Sequence, residues 1–85
     1  MIDFENLASQ GGKIVRISRS VAAPATALRM VREGDLVLLL KVHPPDPNFV
    51  EPTAWRRVDF LSEGRVVTEA LNWSQHSVEL VEEEP

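Results

Sequence analysis

The run Leu36 to Val42, LVLLLKV, constrains this chain more than any other feature. It opens after Gly34-Asp35 and closes on His43-Pro44-Pro45-Asp46-Pro47. Proline fixes φ and removes a backbone donor, so no central strand continues past Val42. A short apolar run bounded in this way reads as a buried strand. Leu36, Leu38, Leu40 and Val42 point one way, and Val37, Leu39 and Lys41 the other. Only Lys41 is polar. The strand is therefore expected to be covered on both sides, by a second layer of its own domain or by another chain. His43 then belongs to the rigid exit of a strand, and no site is assigned to it.

Eighty-five residues support one small domain. We divide it into an N-terminal arm, 1–12, a β core, 13–81, and an acidic tail, 82–85. There is no cysteine, which excludes disulfides, thiolate zinc sites and cysteine nucleophiles. Met1 to Glu5 does not read as a secretory leader, and the longest apolar run falls far short of the ~20 residues that cross a bilayer. No membrane partner is expected.

The formal net charge of −4 conceals an asymmetry. Residues 6–32 hold Lys13, Arg16, Arg19, Arg29 and Arg32 and no acid; residues 65–85 hold Arg65 against five glutamates. The two ends are expected to attract each other across one fold. A basic patch for phosphates and a charged face for another protein are the alternatives.

Ile2, Phe4 and Leu7 are suited to anchor the arm, and Gly11-Gly12 makes a joint. Lys13 to Arg19 reads as a strand, with its basic residues on an edge or a solvated face. Residues 24–33 fit a short helix or turn ending at Gly34, or a loop leading into a strand. Trp55 to Leu61 and Arg65 to Leu71 read as a hairpin around Ser62-Glu63-Gly64, with Gly64 left-handed in a three-residue turn. That turn sets Phe60 opposite Val66, Val58 opposite Thr68, and Arg57 opposite Glu69. Val58, Phe60, Val66 and Ala70 then share the core face, and Arg57 and Glu69 pair outside. Asn72 to Gln75 reads as a turn, Ser77 to Val81 as a last strand.

The order of these parts resembles the small SH3-like barrels, in particular the short phage-encoded ones. In those, a GDLV strand opens the barrel, a VDxLxxGxV hairpin carries the middle and an ELVE-type strand closes it. Here the matching stretches are Gly34 to Val37, Val58 to Val66 and Glu79 to Glu82, within residues 34–83. The resemblance implies a mainly β, SH3-like barrel with an N-terminal extension and a non-enzymatic habit. It transfers no catalytic or binding residue. The implied setting is the cytoplasm, or a virion assembled in the host cytoplasm.

Catalytic constellations are not expected. His43 has Asp46 nearby, but no nucleophile and no metal-ligand spacing such as HExxH. His43 and His76 read as ordinary surface or loop histidines. Asp59 and Glu69 read as outward strand residues, without the cleft that paired-carboxylate chemistry needs. No cofactor and no metal is called for. The first functional expectation is a non-catalytic interaction or structural accessory protein, binding another protein or copies of itself through Phe4, Phe49, Val50 and Trp55. The second is a nucleic-acid-binding barrel using Arg16, Arg19, Arg56 and Arg57 beside Trp55 and Trp73, although the tryptophans fit core lids better and the overall acidity opposes it. The third is a small inhibitor of a host enzyme, whose tail Glu82 to Glu84 would mimic a phosphate backbone.

Overall fold

The computed structural model describes residues 2–19, 28–49, 51 and 53–81. The arm folds as a short helix, α1, Phe4–Ala8. Asp3 caps it by accepting from the Asn6 N–H at 3.2 Å. Five residues are far too few for a helix to persist alone. Packing holds this one: Ile2, Phe4 and Leu7 are buried in the core. The Ile2 N–H donates to the Trp73 carbonyl at 2.7 Å, and the Arg56 guanidinium lies 5.5 Å from the centre of the Phe4 ring. Phe4, expected to be a partner contact, is enclosed by its own chain.

Five strands follow: β1, Ile14–Arg19; β2, Leu36–Val42; β3, Trp55–Ser62; β4, Arg65–Asn72; β5, His76–Leu80. They form one antiparallel sheet in the order β4-β3-β2-β1-β5. The last strand thus returns to pair with the first. Among the described residues no pairing joins β4 to β5, so the sheet is not a closed barrel. The domain is mainly β, as the sequence implies. Of the segment 24–33, residues 28–33 are bends and turn rather than helix, and 24–27 lie outside the described residues. Gly34, at φ 88°, turns the chain into β2, and its N–H donates to the Ile17 carbonyl at 2.7 Å.

The core sits on one face of the sheet. Val15, Ile17, Leu39, Val58, Phe60 and Leu71 are fully enclosed there. β2 departs from the expected double cover. Val37 and Leu39 are buried, while Leu36 is 54% exposed and Leu40 also meets solvent. A β-bulge interrupts the β2–β3 ladder: Leu39 lies opposite Phe60, Lys41 opposite Asp59 and Val42 opposite Val58. Leu40 is the extra residue, so Leu39 and Val42 both face the core although they stand three apart. The turn at Gly11-Gly12 packs against this bulge, with the Gly12 N–H donating to the Leu39 carbonyl at 2.7 Å. A Cβ on Gly11 would come within 3.3 Å of the Leu40 carbonyl oxygen.

The β3–β4 hairpin corrects the expected register by one residue. Ser62 pairs with Arg65, so the turn is the two residues Glu63-Gly64. Both take positive φ, 52° and 78°, as a primed hairpin turn requires. Glycine accepts this freely; a left-handed glutamate costs roughly 1–2 kcal/mol. A one-residue slip sends every side chain to the other face. Val67, not Val66, packs against the core, and Val66 is 64% exposed. Arg57 lies opposite Ala70 and Glu69 opposite Val58, so the expected Arg57–Glu69 pair does not exist.

Two substitutions check this register. Val67→Thr should cost clearly more stability in urea unfolding than Val66→Thr, since both keep strand propensity and only Val67 touches the core. Equal or reversed costs would place Val66 inside. Phe60→Ala should cost roughly 3–5 kcal/mol.

Candidate functional site

The slip in register has its largest effect at Glu69, which is only 3% exposed. Its carboxylate accepts from three successive backbone N–H groups: Arg29 at 3.1 Å, Met30 at 2.7 Å and Val31 at 2.8 Å. Converging N–H groups of this kind form an anion cradle. Here the anion is the chain's own, and it ties the segment before β2 to β4. Val31 then enters the core. The carboxylate expected outside is a structural latch.

His76 is also a correction: it is buried, not on the surface. Its Nδ1 accepts from the Asn72 N–H at 2.9 Å, which requires a lone pair on that nitrogen. The Asn72 Oδ1 accepts from the Ser74 N–H, the Ser74 hydroxyl and the Gln75 N–H. These bonds build the turn that carries the chain from β4 to β5. Trp73, at its tip, remains partly exposed.

His43 faces Asp59 rather than Asp46, with Nε2 at 2.9 Å from Oδ1. The Thr68 hydroxyl donates to the same oxygen at 2.6 Å. That hydroxyl holds the Asp59 carboxyl below the usual carboxylate range, and His43 adds to the effect against the opposing pull of burial. The Asp59 carboxylate thus stands between the Thr68 hydroxyl and the His43 imidazole. The trio pins the exit of β2 to β3 and β4.

The proline loop folds onto β3. The His43 N–H donates to the Arg57 carbonyl at 2.8 Å, and the Arg56 Nε to the His43 carbonyl at 2.6 Å. Arg57 pairs with Asp46 and its guanidinium lies 4.7 Å from the centre of the Phe49 ring. Phe49 stacks on Trp55 at 6.4 Å, and Trp55 meets the edge of His76 at 6.1 Å. The Asn48 backbone N–H, and after it Arg57, holds the Asp46 carboxyl below its usual range. Of the expected partner contacts, Phe49 and Trp55 are thus brought together, half-buried in one stack. Val50 lies outside the described residues.

Among the described residues, the arginines considered for nucleic acid do not converge. Arg56 and Arg57 are neighbours on β3 and so point to opposite faces. The Arg56 side chain is 13% exposed and lies 3.7 Å from Glu5. Arg16 sits on β1 opposite Glu79, 4.0 Å away. The side chain of Arg19 lies outside the described residues. Of the charge asymmetry of the sequence, the described residues show one pair between β1 and β5, Arg16 with Glu79. An exposed pair such as Arg16–Glu79 contributes between zero and about 1 kcal/mol.

What the sequence misses is the outer face of the sheet. Leu38 pairs with Ile14 on one side and Leu61 on the other, and Leu61 pairs with Val66. The Val81 N–H donates to the Ile14 carbonyl at 3.0 Å, just past the end of β5. Val81, Ile14, Leu38, Leu61 and Val66 therefore make one apolar rung across the sheet, each at least partly exposed. Leu36 and Leu40 widen it on β2. The doubly apolar pattern of Leu36 to Leu40 is the signal for this face; the three-residue turn hides the rest by placing Val66 inside.

Comparison with known proteins finds no matching family model, no similar curated protein and no similar solved structure. Among the described residues no cluster of three metal-ligating side chains is present, and no helix is long and apolar enough to cross a membrane.

Replacing Glu69 with Gln sets an amide against three N–H donors and should cost about 2 kcal/mol. Hydrogen exchange at Met30 and Val31 should rise more than at Ile17 or Leu39; uniform change would leave Glu69 without a latching role. The lowered position of Asp59 gives stability that is present above its unfolded value of about 3.9 and is lost as pH falls through its folded value. Thr68→Val should shrink that loss in urea unfolding followed from pH 6 to pH 2. An unchanged acid limb would contradict the role given to the hydroxyl.

Proposed function

We propose that this chain is a non-catalytic protein–protein interaction module that docks through the outer face of its sheet. The observation that carries the reading is the apolar rung from Val81 to Val66, with Leu36 and Leu40 beside it. Single exposed apolar residues are ordinary on any protein; contiguous ones mark interaction surfaces. Burying a side chain such as Leu36 or Val66 against a partner contributes roughly 1.5–3 kcal/mol. A few of these suffice for a specific complex.

The strand order supports the SH3-like reading. A long excursion separates β1 from β2, a tight hairpin joins β3 to β4, and β5 returns to β1. Together with the resemblance to short phage-encoded barrels, it favours an accessory component of a phage particle. The Phe49–Trp55 stack is a second, smaller contact region at the proline loop.

Leu36→Lys and Val66→Lys place a charge on exposed positions of the rung and should leave the urea midpoint nearly unchanged. A protein captured by the wild type from its natural lysate should be lost with both variants. Retention of the same partners by both folded variants would remove the outer face from the function.

A further inference from the structure

We propose that His76 makes the turn between β4 and β5 a pH-sensitive latch, which opens when the imidazole takes up a proton and loosens the N-terminal arm. His76 is 1% exposed. Its Nδ1 accepts from the Asn72 N–H at 2.9 Å, so in the folded chain that nitrogen carries a lone pair and the ring proton is on Nε2. An imidazolium has a proton on both nitrogens and offers no acceptor. Two donors would then face each other, and no rotation of the ring gives the buried Asn72 N–H its partner back. A neutral histidine is thus built into the turn. The latch is complete above the ordinary histidine value of about 6.5 and is lost as pH falls below it, because the opened turn binds the proton that the closed one refuses.

The consequence travels along one peptide. Trp73 follows Asn72, donates to the Ala54 carbonyl at 3.0 Å and accepts from the Ile2 N–H at 2.7 Å. A displacement of Asn72 therefore reaches the carbonyl that anchors the arm. The five residues of α1 do not persist as a helix without such anchors, so the arm is the element that responds. The charged positions around the ring do not offset the loss. Arg19 stands opposite His76 on β1. On β3, Trp55 meets the ring at 6.1 Å and is followed by Arg56 and Arg57. Four carboxylates lie on the elements near it, and each is engaged elsewhere. Glu79 on β5 stands by Arg16, Glu5 on α1 by Arg56, and Asp46 in the proline loop by Arg57. Glu69 on β4 is held by the backbone of residues 29–31. The turn residues Asn72 to Gln75 carry no charge.

The test is a pH titration of the isotope-labelled full chain by nuclear magnetic resonance, from about pH 8 to about pH 5, the span in which histidine changes charge. Shifts of the His76 ring report its protonation. Hydrogen-exchange protection, corrected for the intrinsic rate at each pH, reports the latch and the arm. As His76 titrates, Asn72 and Leu7 should lose protection at least about tenfold, and Leu39 should lose less. His43→Gln removes the other histidine and should leave this response intact. His76→Asn keeps an acceptor oxygen near the place of Nδ1 at every pH and should abolish it. A ring that stays neutral down to pH 5 would overturn the proposal. So would a ring that titrates while Asn72 and Leu7 keep their protection, or an equal loss at Leu39, which is general unfolding. Persistence of the response in a folded His76→Asn variant, or its loss in His43→Gln, would assign it to another group. The wild-type titration alone decides the matter if His76→Asn fails to fold.

Discussion

Two positive φ angles, at Glu63 and Gly64, decide which side of β4 faces the core. The turn they form is two residues long, and its length sets the pairing of every residue from Ser62–Arg65 to Trp55–Asn72. One more residue in the turn would put Val66 inside and Glu69 outside. The latch on residues 29–31 would vanish, and so would the Val66 end of the apolar rung. The energetic preference comes from twist: a primed turn matches the right-handed twist of the strands it joins, and the strain at Glu63 is the local cost.

The core side of this arrangement is self-consistent. Val67 packs against the core and Glu69 reaches the backbone that precedes β2. The bulge at Leu40 resets the alternation of β2, so that Val42 can follow Leu39 onto the same face. α1 adds Phe4 and Leu7, and its hold on the Trp73 carbonyl through Ile2 ties both ends of the sequence to one layer. Polar groups that are buried are mostly spent within the chain. Glu69, Asn72 and His76 each organise a bend or a turn. The outer face is different, because its apolar residues organise nothing in the chain itself.

Much of this was legible in the sequence, and the failures have physical causes. The strands expected over residues 13–19, 36–42, 55–61, 65–71 and 77–81 follow from apolar and β-branched runs and their Gly, Pro and Asn boundaries, and each is found to within a residue at either end; so is the tight turn at 72–75. The register of β4 was not legible. Gly64 announces a left-handed position, but nothing in the letter Glu63 announces a second one. A bulge leaves no mark in LVLLLKV either, since apolar residues stand on both sides of it. His76 and Glu69 were misplaced because a single polar residue in a strand looks solvated until its partner, here Asn72 or the backbone of residues 29–31, is known. The site residues divide in the same way. Phe49 and Trp55 do meet, while Phe4 is drawn into the core by a helix too short to be seen in the pattern.

The account of function depends on that register, because it sets Val66 on the outer face. The most direct measurement is a nuclear Overhauser spectrum of the β3–β4 hairpin, read for cross-strand contacts. The account predicts Leu61 against Val66 and Val58 against Glu69. Contacts joining Phe60 to Val66 and Arg57 to Glu69 would contradict it, and would return Val66 to the interior.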